Sequence, residues 1–246
     1  MATKEELNTD RKNARWAGVF YIIATAAPIS TIFFIGFLGG GVAGEPIPGY
    51  LGSVSANEGQ VITGMFIEWI YALAVVGIIA TLLPILRKQN EALALGFSGL
   101  RFIEVVCSIV GSISLLTLLT LSYEFVDAGA PGDSYFQTIG TVVLAIRDWA
   151  FMIGSGLVWS LSALVLNYLL YQSKLVPRWL SVWGILGALL SLVNYFPEFF
   201  GINSIDILFL PIALQEMVFA VWLIVKGVNS SANDSPSTKT EISGIM

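Results

Sequence analysis

Apolar positions in this chain come in six long runs, at about 16–38, 61–86, 92–123, 136–171, 179–195 and 206–225, separated by short polar stretches. Each is at least as long as the roughly 17–20 residues that a helix needs to cross a hydrocarbon core about 30 Å thick. None shows the strict alternation of a half-buried strand. The pattern predicts an all-α polytopic membrane protein with six transmembrane helices. The fourth run would be roughly 50 Å long at about 1.5 Å per residue, so it must tilt, kink or protrude.

Between the runs the chain has turn chemistry. The segment 39–60 contains GGGVAGEPIPG and reads as a Gly/Pro-rich loop. A short acidic loop with Glu124, Asp127 and Asp133 follows the third run, Pro177 sits in a tight loop between Lys174 and Arg178, and 197–205 forms another turn. Residues 1–15 are a polar N-terminal segment and 227–246 a Ser/Asn/Thr-rich tail that reads as disordered, which leaves one transmembrane bundle over 16–226. The basic start, the apolar run and Ala24-Thr25-Ala26 also have the outline of a signal peptide, but the run continues past Ala26 as a spanning helix would.

Polar residues inside the runs break the pattern in an orderly way. Arg101, Glu104, Ser108, Gly111 and Ser112 define one face of the third helix, Thr141, Asp148, Ser155 and Ser162 a heptad stripe on the fourth, and Gly184, Gly187, Ser191 and Asn194 a face of the fifth. Lipid offers these groups no hydrogen bonds, so the faces are expected to look inward, with the third helix as the central strut. Six ionisable residues, Glu68, Arg101, Glu104, Arg147, Asp148 and Glu216, lie in membrane segments. At roughly 3 kcal/mol for each unpaired central charge they would cost on the order of 15–20 kcal/mol together, so pairing or water access is close to obligatory.

Depth along the helices suggests two clusters. Arg101 is near enough to the inner boundary to snorkel, with Glu104 one turn deeper as its companion. Glu68 is about 10 Å in from the outer side, and an outer cluster of Glu68, Arg147, Asp148, Asn194 and Glu216 is expected. Arg147 and Asp148 are adjacent and point about 100° apart, so their partners should be on other helices. Four carboxylates against two arginines leave an excess of acid, which suits proton coupling and a permanently protonated structural acid equally.

Composition agrees with the pattern: 56% of residues are hydrophobic and 12% charged, against about 25% charged in soluble domains. The net charge of −5 says little by itself, because charge in a membrane protein is sorted by side. Of the 12 Lys and Arg, all but Arg101 and Arg147 fall on one side when six spans are threaded, and the opposite loops carry only acids. The positive-inside rule then places both termini in the cytoplasm. Trp16, Tyr50, Tyr123, Tyr171, Trp179 and Tyr195 fall near the proposed interfaces, as an aromatic belt requires. No internal repeat of the transporter type is visible.

Several chemistries lose their footing. With no histidine, the commonest metal ligand and the usual neutral-pH base are missing, so no metal site is expected. Cys107 is the single cysteine and reads as a small hydrophobe. Lys88, Lys174 and Lys226 stand at span ends, where none could hold a retinal-type Schiff base. Gly154-Ser155-Gly156 lacks the flanking glycines and histidine of a nucleophile elbow and reads as a packing contact. No cofactor motif and no basic surface suited to nucleic acid is present. What remains is a bilayer protein with three possible roles. The first is binding or passing a small molecule or ion through a polar cavity lined by the buried acids and arginines. The second is a structural or accessory subunit whose charges lock helix packing. The third is an intramembrane enzyme using carboxylates, which lacks a visible nucleophile–base set. Oligomeric state is not legible.

Four stretches carry a resemblance: Arg15-Trp16-Ala17-Gly18-Val19, Arg101-Phe102-Ile103-Glu104, YLLYQSKLVPRW at 168–179, and Glu216 with Trp222-Leu223-Ile224-Val225-Lys226-Gly227. Together they resemble the DUF4386 family of bacterial multi-pass membrane proteins over about residues 10–228. The loop at 168–179 is the most specific of them. The resemblance implies an integral protein of the bacterial cytoplasmic membrane whose biochemical role is unassigned, and it supplies no catalytic residues.

Overall fold

The computed structural model describes residues 4–38, 49–131, 135–202 and 206–229. The Gly/Pro-rich stretch 39–48, Asp133, residues 203–205 and the tail from 230 onward lie outside the described residues. Among those described, every element is helical. Helix α1 runs Lys4–Ile35, α2 Tyr50–Ala56, α3 Glu58–Arg87 and α4 Glu91–Asp127. Then come α5 at Tyr135–Phe151, a π-helical segment at Met152–Val158, α6 at Trp159–Ser173, α7 at Arg178–Tyr195 and α8 at Leu210–Val225. Five continuous helical stretches are long and apolar enough to cross a membrane, and α8, with 16 residues, is the shorter sixth. At about 24 Å it falls short of the hydrocarbon thickness, and a 3-10 turn at Asp206–Leu208 precedes it.

The distribution of residues is that of a membrane protein. Phe33, Leu73, Ile113, Val142, Val193 and Val221 face outward, while Glu68, Arg101, Glu104 and Arg147 are buried. Helix α4 packs on α2, α3, α5, α6 and the π segment, the central position expected from its polar face. On α1, Ala14, Ala17, Tyr21, Ala24 and Ala27 recur at helical spacing and are buried; these mostly small side chains let α1 lie closely on α3 and α8. The closest approach is at Gly18, where an added Cβ would stand 2.5 Å from the carbonyl oxygen of Ala220.

Both ends of the described chain gather at one end of the bundle. Lys88 in the α3–α4 turn pairs with Asp10 of α1 at 2.8 Å, and the Asn229 amide donates to the Leu175 carbonyl in the α6–α7 turn at 2.9 Å. The opposite end is closed by α2. Its Tyr50, Leu51 and Val54 are buried in a cluster with Leu115, Leu118, Phe125 and Phe136. The loop reading of 39–60 missed this helix, and Tyr50 is correspondingly not a belt residue. It is buried, its ring packs over Gly140 and its hydroxyl donates to the Gln137 carbonyl at 3.4 Å.

The long fourth run is interrupted by the π segment, although the helical stretch Tyr135–Ser173 remains continuous over 39 residues. Gly154 and Gly156 bring this wider turn against its neighbours: a Cβ at Gly154 would meet Cβ of Cys107, and one at Gly156 the Tyr195 ring. The packing reading of Gly154-Ser155-Gly156 thus holds in the fold. The added residues per turn also break the heptad stripe expected on this helix. Thr141 faces outward and returns its hydroxyl to the Gln137 carbonyl at 2.9 Å, which satisfies it in lipid, whereas Ser162 is buried.

Candidate functional site

The helical i, i+3 spacing of Arg101 and Glu104 puts both on the buried face of α4, and they pair at 3.1 Å. Arg101 does not snorkel. It is 2% exposed and Glu104 is 0% exposed. The second guanidinium nitrogen, Nη2, donates to Oε1 of Glu216 on α8 at 3.1 Å and to the Tyr21 hydroxyl on α1 at 3.4 Å. The Tyr21 and Phe97 rings lie 5.6 and 5.8 Å from the cation. Tyr71 of α3 donates its hydroxyl to Oε1 of Glu104, and Trp159 of α6 donates its indole N–H to Oε1 of Glu216 at 3.1 Å. One arginine therefore ties α1, α3, α4, α6 and α8 together. The group has one carboxylate more than it has cations, so it holds either a net negative charge or one proton.

The second pair joins Arg147 of α5 to Glu68 of α3 in a two-pronged contact, with Nη1 at 3.3 Å from Oε2 and Nη2 on Oε1. Nη1 also donates to the Gly111 carbonyl at 2.9 Å, and Ser112 donates to Oε2 of Glu68 at 2.8 Å. The guanidinium lies 4.7 Å over the Phe151 ring. Gly111 is needed here, since a Cβ would run into that ring.

Beside this pair is a cleft of about 340 Å³, lined by Pro28, Thr31, Ile32 and Ile35 at the C-terminal end of α1, Gly36 just past it, Glu68 and Tyr71 of α3, Arg147 and Phe151 of α5, and Ser155 of the π segment. Its origin is topological. Helix α1 packs on α3 and α5 on α4, which leaves a gap between α1 and α5 above α3. Exposed Ile32 stands at its rim, so the cleft opens sideways, and Pro28 loosens the turn of α1 at that rim by its missing N–H. The walls are predominantly apolar. The polar atoms available to an occupant are the Ser155 and Tyr71 hydroxyls, 3.5 Å apart, and the edge of the Glu68–Arg147 pair. Tyr71 gives its proton to Glu104, so Ser155 is the donor of the two.

Of the seven residues singled out from the sequence, Arg101, Glu104 and Glu216 form one group and Glu68 and Arg147 another. Glu216 is a correction: it belongs with Arg101 and not with the outer pair. Asn194 is buried on α7, and Asp148 is half-buried beside Arg147. Of the seven, Glu68 and Arg147 line the cleft, whose walls are mainly apolar.

Sequence reasoning missed Tyr21, Tyr71 and Trp159, whose signal was an aromatic hydroxyl or indole N–H away from any span end. It also missed Gln215, which donates to Asn167 of α6 and to the Leu180 carbonyl of α7, both at 3.2 Å. Among the described residues no group of His, Cys, Asp or Glu is arranged to hold a metal ion.

The family model described as a domain of unknown function, DUF4386, matches residues 16–227. No curated protein and no solved structure matches the chain.

Proposed function

We propose that this chain, which belongs to the DUF4386 family, binds a largely apolar amphiphile in the lateral cleft between α1, α3 and α5. The observation that supports this reading is the cleft itself. About 340 Å³ of space with apolar walls, open sideways, ends on the Tyr71 and Ser155 hydroxyls and the Glu68–Arg147 pair. Such a volume lies within the range of ligand pockets, and a few convergent polar groups in an apolar wall are the usual recipe for orienting a ligand. A lipid-soluble molecule with one small polar group, such as a hydroxyl or carbonyl, suits it. A hydrated ion does not, because the walls offer it few oxygen ligands. The membrane is inferred to be the bacterial cytoplasmic membrane, with both termini inside, on the one-sided placement of the basic residues.

A locking role suits the Arg101 group better than binding. Each of its two carboxylates is held by arginine and by an aromatic donor, and Glu216 does not line the cleft. Carboxylate catalysis has less support, since the cleft reaches Glu68 alone of the four acids and that side chain is already doubly engaged.

The test is photolabelling of the purified protein in nanodiscs with a long-chain alcohol carrying a diazirine. Adducts are expected to concentrate on Ile32, Phe151 and Ser155, to be competed by the unlabelled alcohol, and to be lost in Thr31→Trp, which fills the cleft. Adducts spread evenly over outward residues such as Phe33, Leu73 and Ile113, with no competition, would sink the binding reading.

A further inference from the structure

A second cavity, unrelated to the buried ion pairs, lies at the end of the bundle where the basic residues gather. It is an open pocket of about 530 Å³ lined by Asn8, Arg11, Lys12, Arg15, Trp16 and Val19 of α1 and by Ile224 of α8. Positions 8, 11 and 12, 15 and 16, and 19 lie on successive helical turns, each three or four residues from the next, so a single face of α1 supplies the whole basic wall. The floor is fixed by the Gly18 crossing, where α1 and α8 come so close that a Cβ would meet Ile224 at 2.7 Å. Helix α8 ends at Val225, just past this crossing, and the cationic side chains of α1 stand beside the chain end that follows it. The stem of Arg11 rests near Gly227, which has φ 72°. The nearest acid on α1, Asp10, points to the other side and is engaged by Lys88.

The chemistry of this wall is graded along the helix. Three cations come first, then the half-exposed indole of Trp16, then Val19 and Ile224. A phosphate with an acyl chain attached presents the same gradient in the same order, and tryptophan is the residue that settles at the level of lipid headgroups. We propose that this cavity binds the phosphate headgroup of an anionic phospholipid, with Arg11, Lys12 and Arg15 on the phosphate oxygens and Trp16, Val19 and Ile224 along the start of the chain. Basic pockets between transmembrane helices are suited to such headgroups, and each cation near the surface strengthens the attraction.

Native mass spectrometry on the full-length protein, released from mixed micelles of phosphatidylglycerol and phosphatidylcholine, tests it. The wild type is expected to retain phosphatidylglycerol with roughly tenfold or greater preference, and the triple variant R11Q/K12Q/R15Q to fall near parity. Ile224→Trp keeps every charge and fills the apolar end of the cavity, so it is expected to reduce the preference as well. This variant also separates a pocket from general surface attraction: an undiminished preference in Ile224→Trp overturns the site. An undiminished preference in the triple variant overturns it equally. Displacement of the lipid by 10 mM inorganic phosphate, a concentration of about that order being ample for a soluble-anion site, would assign the cavity to a free phosphate and overturn the lipid assignment.

Discussion

At the scale of single residues, Arg101 is a point on which the fold depends, because two carboxylates from different helices converge on it. Removing one member of a buried pair leaves the other charged and unpaired, which costs about 3–5 kcal/mol. Arg101→Met is therefore expected to lower stability by at least that much, with Glu104 and Glu216 both orphaned. The triple change Arg101→Met/Glu104→Gln/Glu216→Gln should recover a large part of the loss, since no charge is then left without a partner. Thermal unfolding in detergent micelles, followed by tryptophan fluorescence, decides it. Equal instability of the single and triple variants would mean that orphaned charge on Glu104 and Glu216 is not what destabilises Arg101→Met. Tyr71→Phe is the finer probe. It deprives Glu104 of a donor and the cleft of a hydroxyl, so it should cost about 1–3 kcal/mol and also weaken labelling by the diazirine alcohol. A loss of stability with unchanged labelling would separate Tyr71 from the cleft. Which residues would be buried was legible in the sequence, because a charge in an apolar run has few places to go. Their partners were not, because pairing depends on helix register. Glu216 was assigned to the outer pair from its position in the run 206–225, whereas α8 starts at Leu210 and carries it to the level of Arg101.

At the scale of helices, glycines set the distances that the site depends on. Gly18→Ala would put a methyl group 2.5 Å from a backbone oxygen of α8, a contact that no rotamer change relieves. Overpacking of this kind costs about 1–3 kcal/mol. Gly96 is the control, with open space around its position, so Gly96→Ala should be neutral or stabilise by about 0.5–1 kcal/mol through helix propensity. If both variants melt alike, the α1–α8 contact is loose enough to admit a methyl group, and the cavity above it loses its floor. The six spans themselves followed from run length alone, and the inward face of α7 from Gly184, Gly187, Ser191 and Asn194, all of which are buried. Two elements did not follow. Helix α2 is a short piece whose burial comes from the hydrophobic cluster it caps, a tertiary effect that a Gly/Pro-rich context conceals. The π segment leaves no mark in periodicity beyond an over-long run, and the heptad stripe drawn through it assumed a regular helix that the extra residues interrupt.

At the scale of the whole molecule, orientation is the property on which both proposed sites depend, because the lateral cleft lies toward one face of the bilayer and the basic cavity toward the other. The bundle brings Asp10, Lys88, Leu175 and Asn229 into contact at one end, so the N-terminal part of α1, two turns and the chain after α8 must share a side of the membrane. That end carries Arg11, Lys12, Arg15, Lys88, Lys174 and Arg178, so the orientation proposed above, with this end in the cytoplasm, follows from the positive-inside rule and is open to direct test. Single-cysteine labelling gives the answer. Cys107→Ser removes the native thiol while keeping the Cβ that Gly154 packs against. Into that background, Ala128→Cys places a thiol in the exposed turn after α4, and Gln172→Cys places one at the exposed end of α6. A membrane-impermeant maleimide applied to intact cells is expected to label Ala128→Cys, and to reach Gln172→Cys only after permeabilisation. The reverse pattern would put the basic cavity in the outer leaflet and the cleft in the inner one. Labelling of both from outside would be incompatible with an odd number of crossings between the two positions, and α5, the π segment and α6 together make one such crossing as the continuous stretch Tyr135–Ser173.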